Sequence, residues 1–218
     1  MVKSKAWNWE LVEKDNKHWN SPSKHVYYLA QKWKEKGFKK FLDVGIGFGR
    51  NALYMAKQGY IVNGFDLSEE SVKTSIEKFK KENLEYESIK IADMLEFPYE
   101  DNSFDCILAM NVISHTDTKG FLKILNEILR VLKPSGEAYF TLGSKESFWF
   151  KNPVCKYVDE NTRIRIEDGP ENGIPHFYVN DDDIKKMLSE HKIIEITNIR
   201  ELTQHGNFSP HYHIWLKK

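Results

Sequence analysis

Three glycines and an aspartate near the start of the chain have the types and spacing of a ligand-binding turn. An apolar run that carries Asp43 breaks into Gly45-x-Gly47-x-Gly49, after which an amphipathic stretch begins at Arg50. Glycine permits both the tight turn from a strand into a helix and the close approach of a ligand to the backbone. The pattern therefore predicts a binding site between a strand and a helix.

An acidic residue follows at the spacing that nucleoside binding requires. The next apolar run ends in Asp66, 21 positions after Gly45. A carboxylate at the tip of a second strand is placed to accept hydrogen bonds from ribose hydroxyls. Strand, glycine turn, helix, strand and acid together predict a nucleoside-binding α/β site. A glycine turn with no ligand is the alternative interpretation.

The spacing favours S-adenosylmethionine over a nicotinamide dinucleotide. The dinucleotide pattern is G-x-G-x-x-G, whereas this chain has G-x-G-x-G and carries Arg50 where that pattern needs its last glycine. Asp43 adds negative charge near the ligand, which would repel a pyrophosphate and attract an ammonium or a sulfonium. A nicotinamide-dependent oxidoreductase therefore stays as the less favoured alternative.

Composition limits the class of protein. The chain has 218 residues with 32 Lys+Arg against 32 Asp+Glu, which fits a single domain over 1–218 and favours no nucleic-acid partner. The N-terminus lacks the apolar segment of a signal peptide, and no apolar run has the length of a membrane span. The two cysteines, Cys106 and Cys155, fit neither a disulfide framework nor a metal site. A cytoplasmic protein is expected, with no membrane partner and an unknown oligomeric state.

Apolar runs alternate with helical periodicity up to about residue 142. Strands are expected near 40–45, 60–66, 87–92, 104–110 and 137–142. Helices are expected near 23–36, 50–58, 68–79 and 118–132. Alternation of this kind predicts a parallel sheet with helices on both of its faces.

The remaining third of the chain departs from this alternation. Residues 143–180 contain prolines and glycine turns without a clear period, and a segment of that length is usually a lid or a binding insertion. A helix near 180–189, a strand near 192–201, a turn at Gly206–Asn207 and a strand near 212–216 are expected next. With residues 1–36 as an N-terminal helical cap, the predicted fold is α/β. It is a Rossmann-like, doubly wound, seven-stranded sheet, mostly parallel with a last antiparallel strand, plus the lid insertion.

Five motifs in this order resemble the class I S-adenosylmethionine-dependent methyltransferases. They are the glycine turn, Gly64–Ser68, Ala92–Met94, Pro98–Asp105 and Arg130–Gly136. The stretch Gly49–Tyr54 is most similar to the small-molecule branch that includes the tellurite-resistance-type methyltransferases. The resemblance implies transfer of a methyl group from S-adenosylmethionine to a small molecule, with S-adenosylhomocysteine as product. Ile46 departs from the cysteine or small residue that many relatives carry, but the glycines are intact.

The resemblance also implies roles for the residues of the first two strand ends. Gly45, Gly47 and Gly49 would let the backbone approach the methionyl part of the cofactor. Asp43 would face the ammonium group of the cofactor, directly or through water. Asp66 would bind the ribose hydroxyls.

Five further positions are implied to complete the cofactor site. Leu67 would pack against the adenine, Asp93 would accept from the adenine amino group, and Met94 would line the ring. Asn111 would offer its carbonyl to the ammonium group, with Val112 beside it. A local capping role is the alternative for Asp93, because aspartate often caps a helix or turn.

The reaction itself needs few side chains. A sulfonium is already activated, so methyl transfer depends mainly on orientation and exclusion of water, and a base is needed only for a protonated nucleophile. His115 follows the fourth strand, where in the family the loop opens beside the transferred methyl group, and is the candidate base. His176 and Tyr178, in the lid, are candidate substrate contacts. A backbone-bonded surface histidine is the alternative for His115, and no metal site is predicted, because the histidine spacing does not support one.

Aromatic residues are expected to gather over the strand ends. They are Trp7, Trp9, Trp19, Phe148, Trp149, Phe150, Tyr157, Phe177 and Tyr178. These rings would either cover a substrate or form a small core for the lid itself. A second class of function also stays open, a methyltransferase-like partner subunit without catalytic activity. The sequence separates the two poorly, because methyl transfer requires so few catalytic groups.

Overall fold

The computed structural model describes residues 1–12, 17–200 and 209–218. The helices of these ranges are a 3-10 helix at Trp9–Leu11, α1 Lys17–Asn20, α2 Lys24–Glu35, α3 Arg50–Lys57, α4 Glu69–Lys81, α5 Thr118–Val131, α6 Phe148–Lys151 and α7 Asp181–Leu188. The strands are β1 Lys40–Val44, β2 Ile61–Asp66, β3 Ser88–Ile91, β4 Phe104–Ala109, β5 Leu132–Ser144, β6 Lys156–Asp159, β7 Thr162–Ile164, β8 Pro175–Val179, β9 Lys192–Ile199 and β10 His211–Lys217. The turn expected at Gly206–Asn207 lies outside the described residues.

Seven of the described strands form the main sheet, in the order β3-β2-β1-β4-β5-β10-β9. Strands β1 to β5 pair in parallel, and β10 runs antiparallel to both β5 and β9. The predicted Rossmann-like sheet, mostly parallel with a last antiparallel strand, is confirmed. The strand order reverses between β1 and β4, and open α/β sheets bind their ligands in the crevice at such a point.

Helices cover both faces of the sheet because their apolar residues recur at helical spacing. On one face, α5 buries Phe121, Ile124 and Ile128 against β4 and β5. On the other face, α2 and α3 contribute Trp33 and Met55 to a second buried cluster. These two clusters fix the sheet between the helices, so that the strand ends keep their relative positions.

The insertion at residues 143–180 has more regular structure than its sequence pattern indicated. It contains α6 and an antiparallel unit made of β6, β7 and β8. Strand β8 also pairs in parallel with the end of β5, through Gly143 with Tyr178 and Ser144 with Val179. The sequence showed no period here because these strands have only three to five residues and β8 is buried on both faces. This pairing attaches the insertion to the carboxyl end of the sheet.

A buried carboxylate joins α2 to the antiparallel edge of the sheet. Glu137, at the turn into the buried part of β5, is only 3% exposed. Its Oε2 accepts hydrogen bonds from the indole N–H groups of Trp33 and Trp215, each at 3.0 Å. Its Oε1 accepts from the Lys36 ammonium group at 2.6 Å. One side chain thus holds α2, β5 and β10 together.

We expect Glu137→Ala to lower the free energy of unfolding by about 2–4 kcal/mol, because two buried indole N–H groups lose their acceptor. Urea denaturation followed by tryptophan fluorescence measures this change. The matched control is Glu35→Ala, which removes an exposed carboxylate paired with Lys32 and should leave the free energy of unfolding nearly unchanged. Equal effects of the two substitutions would contradict the structural role of Glu137.

Candidate functional site

A cavity of about 340 Å³ opens at the carboxyl ends of β1, β2 and β4. This volume falls in the range of small-molecule sites. Its walls come mainly from the strand ends, the N-terminal segment before α2, and the insertion, with further lining residues from the start of α3 and from Ser209–His211. The sheet crevice predicted from the strand order therefore coincides with a closed-in space.

The glycine turn forms part of the floor of this cavity. Gly45 and Gly47 have φ values of 66° and 54°, in the left-handed region that favours glycine. A Cβ on Gly45 would also clash with the Val112 side chain. The Asp66 carboxylate accepts hydrogen bonds from Gly47 N–H and from Ser68 N–H, both at 2.9 Å. The side chain at the end of β2 thus holds the turn that follows β1.

Eight of the ten cofactor residues expected from the sequence line the cavity. They are Gly45, Gly47, Asp66, Leu67, Asp93, Met94, Asn111 and Val112. Of the described residues, the other two candidates lie behind this wall. Gly49 is the N-cap of α3, and its N–H donates to the carbonyl of Ile46 at 2.9 Å. Asp43 is buried beneath the turn, 2% exposed.

Two polar residues of the wall are fixed by local hydrogen bonds. Asn111 has a left-handed backbone with φ 55°. Its N–H donates to Thr141 Oγ1 at 2.8 Å, and the Thr141 hydroxyl donates in turn to Asn111 Oδ1 at 2.9 Å. Asp93 Oδ1 accepts from Leu95 N–H at 2.9 Å, the local turn bond that aspartate commonly makes. Both residues therefore enter the cavity wall in defined orientations.

The expected aromatic cluster is divided between the cavity and the surface. Trp7, Trp9 and Trp19 line the cavity, with ring centroids 5.2–5.5 Å apart. From the insertion, Phe177 and Tyr178 line it as well, whereas Tyr157 is exposed. Some of these rings therefore form part of the cavity wall. They do not all pack together as a separate core of the lid, which was the alternative considered from the sequence.

Backbone and lysine hydrogen bonds hold the N-terminal segment against the insertion. Asn8 N–H donates to the Pro170 carbonyl at 3.1 Å, and Lys5 Nζ donates to the Asn172 carbonyl at 2.6 Å. Both acceptors lie in the turn between β7 and β8. The two covering segments thus meet each other over the strand ends.

Two histidines and a glutamate meet at the side of the cavity formed by the insertion. The ring centroids of His115 and His176 are 4.9 Å apart, and Glu171 Oε1 lies 3.5 Å from His176 Nε2. Phe177 N–H donates to the Ser114 carbonyl at 2.7 Å, which joins β8 to the loop after β4 and brings the two histidines together. Sequence reasoning selected both histidines but missed Glu171, because no periodic or motif signal marks its turn.

The surrounding protein keeps both histidines neutral. Burial, assisted by the charge of Arg165, lowers the pKa of His176 to about 3 and holds the pKa of His115 well below its ordinary value. Arg165 itself forms an ion pair with Glu171. Burial also raises the pKa of the Tyr178 hydroxyl. At neutral pH this end of the cavity therefore presents imidazole lone pairs and a charge-balanced Arg–Glu pair.

Comparison with known proteins identifies the family. Residues 42–140 match the family model described as "Methyltransferase domain". Together with methyltransferase relatives, this match supports a class I S-adenosylmethionine-dependent methyltransferase. It is 27% identical over 194 residues to the glycine/sarcosine/dimethylglycine N-methyltransferase of Actinopolyspora halophila, which covers 82% of this chain and 33% of that protein. The chain spans about a quarter to a half of the length of the curated relatives it matches.

Solved methyltransferase structures share the fold. An S-adenosylmethionine-dependent methyltransferase from Methanosarcina mazei has a TM-score of 0.68 at 20% identity, covering 82% of this chain and 92% of that chain. The 1,6-didemethyltoxoflavin-N1-methyltransferase of Burkholderia thailandensis, solved with 1,6-didemethyltoxoflavin and S-adenosylhomocysteine bound, has a TM-score of 0.62 at 15% identity, covering 89% and 77%. At these identities the likeness concerns the fold alone. No helix in the described part of this methyltransferase chain has the length and hydropathy of a membrane span.

Asp43 has the most unusual charge environment beneath the methyltransferase cavity. Burial raises the pKa of its carboxyl to about 8, and the neighbouring Asp66 adds to this effect, while Arg50 and the Ala52 N–H oppose it. Its Oδ2 is buried and has no hydrogen-bond partner among the described residues. The folded chain therefore holds a proton on Asp43 at pH values where the unfolded chain has released it.

We expect this proton to make the free energy of unfolding fall as the pH rises from about 4 to about 8. The folded state binds the extra proton in that window, so the slope is negative and at most about 1.4 kcal/mol per pH unit. Asp43→Asn keeps an acceptor for Ala52 but has no proton to lose, so its stability should lack this contribution. Urea denaturation at several pH values measures the difference in free energy of unfolding between the wild type and Asp43→Asn. A difference that stays constant from pH 5 to pH 8 would contradict the raised pKa.

Proposed function

We propose that this chain binds S-adenosylmethionine in the strand-end cavity and transfers its methyl group to a small-molecule nucleophile. The observation that supports this most is the convergence of eight predicted cofactor residues on one wall of a single cavity. These residues come from four separate stretches of sequence, so their convergence is a property of the fold rather than of one motif. The family membership supports the same cofactor.

The residues of the turn and of the next strand fit the cofactor. Gly47 lines the cavity without a side chain, and Asp66 offers a carboxylate whose position is fixed by two backbone N–H groups. Asp66 would bind the ribose hydroxyls, and Leu67, Asp93 and Met94 would hold the adenine. The methionyl part would lie along Gly45, Gly47 and Asn111, beside Val112. Asp43, behind this wall, would act on the ammonium group through water, after the positive charge of the bound cofactor lowers its pKa and releases its proton, and Gly49 would shape the turn.

The covering segments would form the substrate side of the site. We propose one domain over residues 1–218, in which residues 1–36 are a cap and residues 143–180 are a lid. Their hydrogen bonds to each other and the aromatic residues they bring to the cavity support this division. A lid that excludes water would favour the reaction, because it prevents hydrolysis and strengthens the electrostatic interactions inside the site.

The reaction places few demands on the protein. When bound, the cofactor supplies a methyl group on a sulfonium; the acceptor lone pair forms the new bond, and the electron pair of the broken C–S bond stays on sulfur. The chain would orient the acceptor with His176 and Tyr178, and the tryptophan wall would exclude water. The neutral His115 has a lone pair that would accept a proton from a protonated acceptor, although its lowered pKa makes it a weak base. Orientation rather than proton transfer would therefore supply most of the rate enhancement.

Calorimetric titration with S-adenosylmethionine and S-adenosylhomocysteine tests the cofactor assignment, with NADH as the comparison ligand. Binding of both sulfur ligands is expected, and well-folded protein that binds NADH alone would favour the oxidoreductase alternative. Transfer of a labelled methyl group to components of a metabolite extract then separates an enzyme from a non-catalytic partner subunit. Cofactor binding without any methylated product across many extracts would favour the partner subunit.

We expect Asp66→Ala to weaken S-adenosylmethionine binding by about 1–3 kcal/mol, roughly 5- to 150-fold, because paired hydroxyls would lose a charged acceptor. The matched control is Glu85→Ala, which removes an exposed carboxylate outside the cavity and should leave the dissociation constant unchanged. Circular dichroism checks that both variants fold. Equal affinities of the Asp66 variant and the control would place the ribose elsewhere.

A further inference from the structure

The two histidines and Glu171 have a geometry that hydrogen bonding among them does not explain. One potential ligand atom from each of His115, Glu171 and His176 lies within 4.8 Å of the others. His176 Nδ1 lies 3.0 Å from the Ile174 carbonyl, which can only accept, so Nδ1 must carry the proton and Nε2 must present a lone pair. That lone pair faces the Glu171 carboxylate at 3.5 Å, and a carboxylate oxygen is also an acceptor. Two acceptors therefore point toward each other.

The Nε2 atom of His176 is buried and lacks a hydrogen-bond donor among the described residues. His176 is 6% exposed, and its Nε2 has no hydrogen-bond partner among the described residues. A buried polar atom without a partner costs on the order of 1–3 kcal/mol, so proteins rarely retain one without a compensating ligand. A proton shared by His176 and Glu171 would satisfy these two acceptors alone, whereas a potential ligand atom of His115 also lies within 4.8 Å of both. A cation with empty coordination positions satisfies both acceptors without protonating the ring.

The spacing suits a divalent transition metal. Bonds of about 2.0–2.1 Å at the tetrahedral angle separate two ligand atoms by about 3.3 Å. The Glu171–His176 distance of 3.5 Å is already close to this value. The longest separation in the cluster needs to shorten by at most about 1.5 Å, which side-chain rotation can supply.

The groups around the cluster resemble the outer shell of a metal site. Ligating histidines usually donate their other N–H to a carbonyl, as His176 does to Ile174, and ligating carboxylates are usually held by a second group. Arg165 pairs with Glu171 Oε2 and so leaves Oε1 facing His176. The guanidinium charge lowers the affinity for a cation, so we expect moderate rather than very tight binding.

We infer that His115, Glu171 and His176 form a binding site for a divalent transition metal of the Zn²⁺ type at the substrate end of the cavity. Two imidazoles and one carboxylate leave a coordination position open, as in catalytic zinc sites. This position faces the same cavity as the cofactor wall. Metal binding itself requires no methyl donor. Only the role of the metal in the reaction rests on the proposed function.

A metal here would define the class of methyl acceptor. The open position would take an oxygen, nitrogen or sulfur atom of the substrate as a ligand, and coordination would release the proton of that atom to solvent before its lone pair attacks the methyl carbon. His115 would then serve as a ligand, and coordination to the metal rather than proton transfer to His115 would make the acceptor atom lose its proton. The acceptor would be a small molecule with a metal-coordinating group, and purely apolar acceptors would be excluded.

Titration of tag-free, metal-free protein with Co²⁺, followed by its visible absorption, tests the site without any cofactor. We expect one Co²⁺ per chain, displaced by one Zn²⁺. Two variants preserve the local packing. His176→Asn keeps a donor for the Ile174 carbonyl but removes Nε2, and Glu171→Gln turns an acceptor into a donor toward that same Nε2. Both should bind at least about 10-fold more weakly, whereas His191→Gln, outside the cavity, should bind like the wild type.

Thermal unfolding gives an independent readout. With chelator present, Glu171→Gln should melt below the wild type, because Arg165 loses its ionic partner even though the amide satisfies His176. Added Zn²⁺ should raise the melting temperature of the wild type but not that of either cluster variant. Absence of stoichiometric binding by the wild type, or binding by both cluster variants as tight as that of the wild type, would overturn the metal site. Cofactor binding without metal binding would overturn the metal site and leave the proposed function intact. Metal binding without cofactor binding would overturn the proposed function and leave the metal site intact.

Discussion

The hydrogen bond from Gly47 N–H to the Asp66 carboxylate is the interaction on which the rest of the site depends. It ties the turn after β1 to the end of β2, so two strands that are parallel neighbours share one rigid rim. The turn can take this shape only because Gly45 and Gly47 have left-handed backbones, and Gly45 must also leave room for Val112. Burial raises the pKa of Asp66, while the N–H groups of Gly47 and Ser68 favour the carboxylate. The same bonds thus fix the backbone and sustain a charge in a dry setting.

The other half of the cavity depends on a join between the insertion and the sheet. Strand β8 extends the sheet beside the end of β5, and the bond from Phe177 N–H to the Ser114 carbonyl connects it to the loop after β4. These backbone bonds bring His176 and Glu171 toward His115, although the histidines are 61 positions apart along the chain. The N-terminal segment then rests on the insertion through Asn8 and Lys5. The wall opposite the glycine turn is therefore a product of tertiary structure.

The parts of this architecture that repeat a local rule were predictable from the sequence. The glycine spacing and Asp66 marked the rim, and the apolar period of helices such as α5 marked the sheet and its layers, because each signal is contained in a few neighbouring residues. The strands of the insertion were missed, since they are short and β8 is buried on both faces. Glu171 was missed for a different reason: its proposed role depends on His176, and only the folded chain brings the two side chains together. Asp43 was predicted to face the ammonium end of the cofactor, but its burial behind the cavity wall could not be inferred from spacing.

The two ends of the cavity differ in charge, and this difference suits a ligand that is cationic at its sulfur before the reaction and neutral there afterwards. Asp66 places a carboxylate at the rim, and Asp43 beneath it would become charged when a cationic ligand lowers its pKa, so a cationic ligand would be favoured here. At the other end, Arg165 and Glu171 balance each other, and the histidines are neutral. A sulfonium loses its charge when it donates its methyl group, so the acidic end binds the reactant more strongly than the product. On the proposed function, the field of the rim would therefore aid release of the spent cofactor, while the water-poor aromatic wall would compensate by holding the reactants in contact.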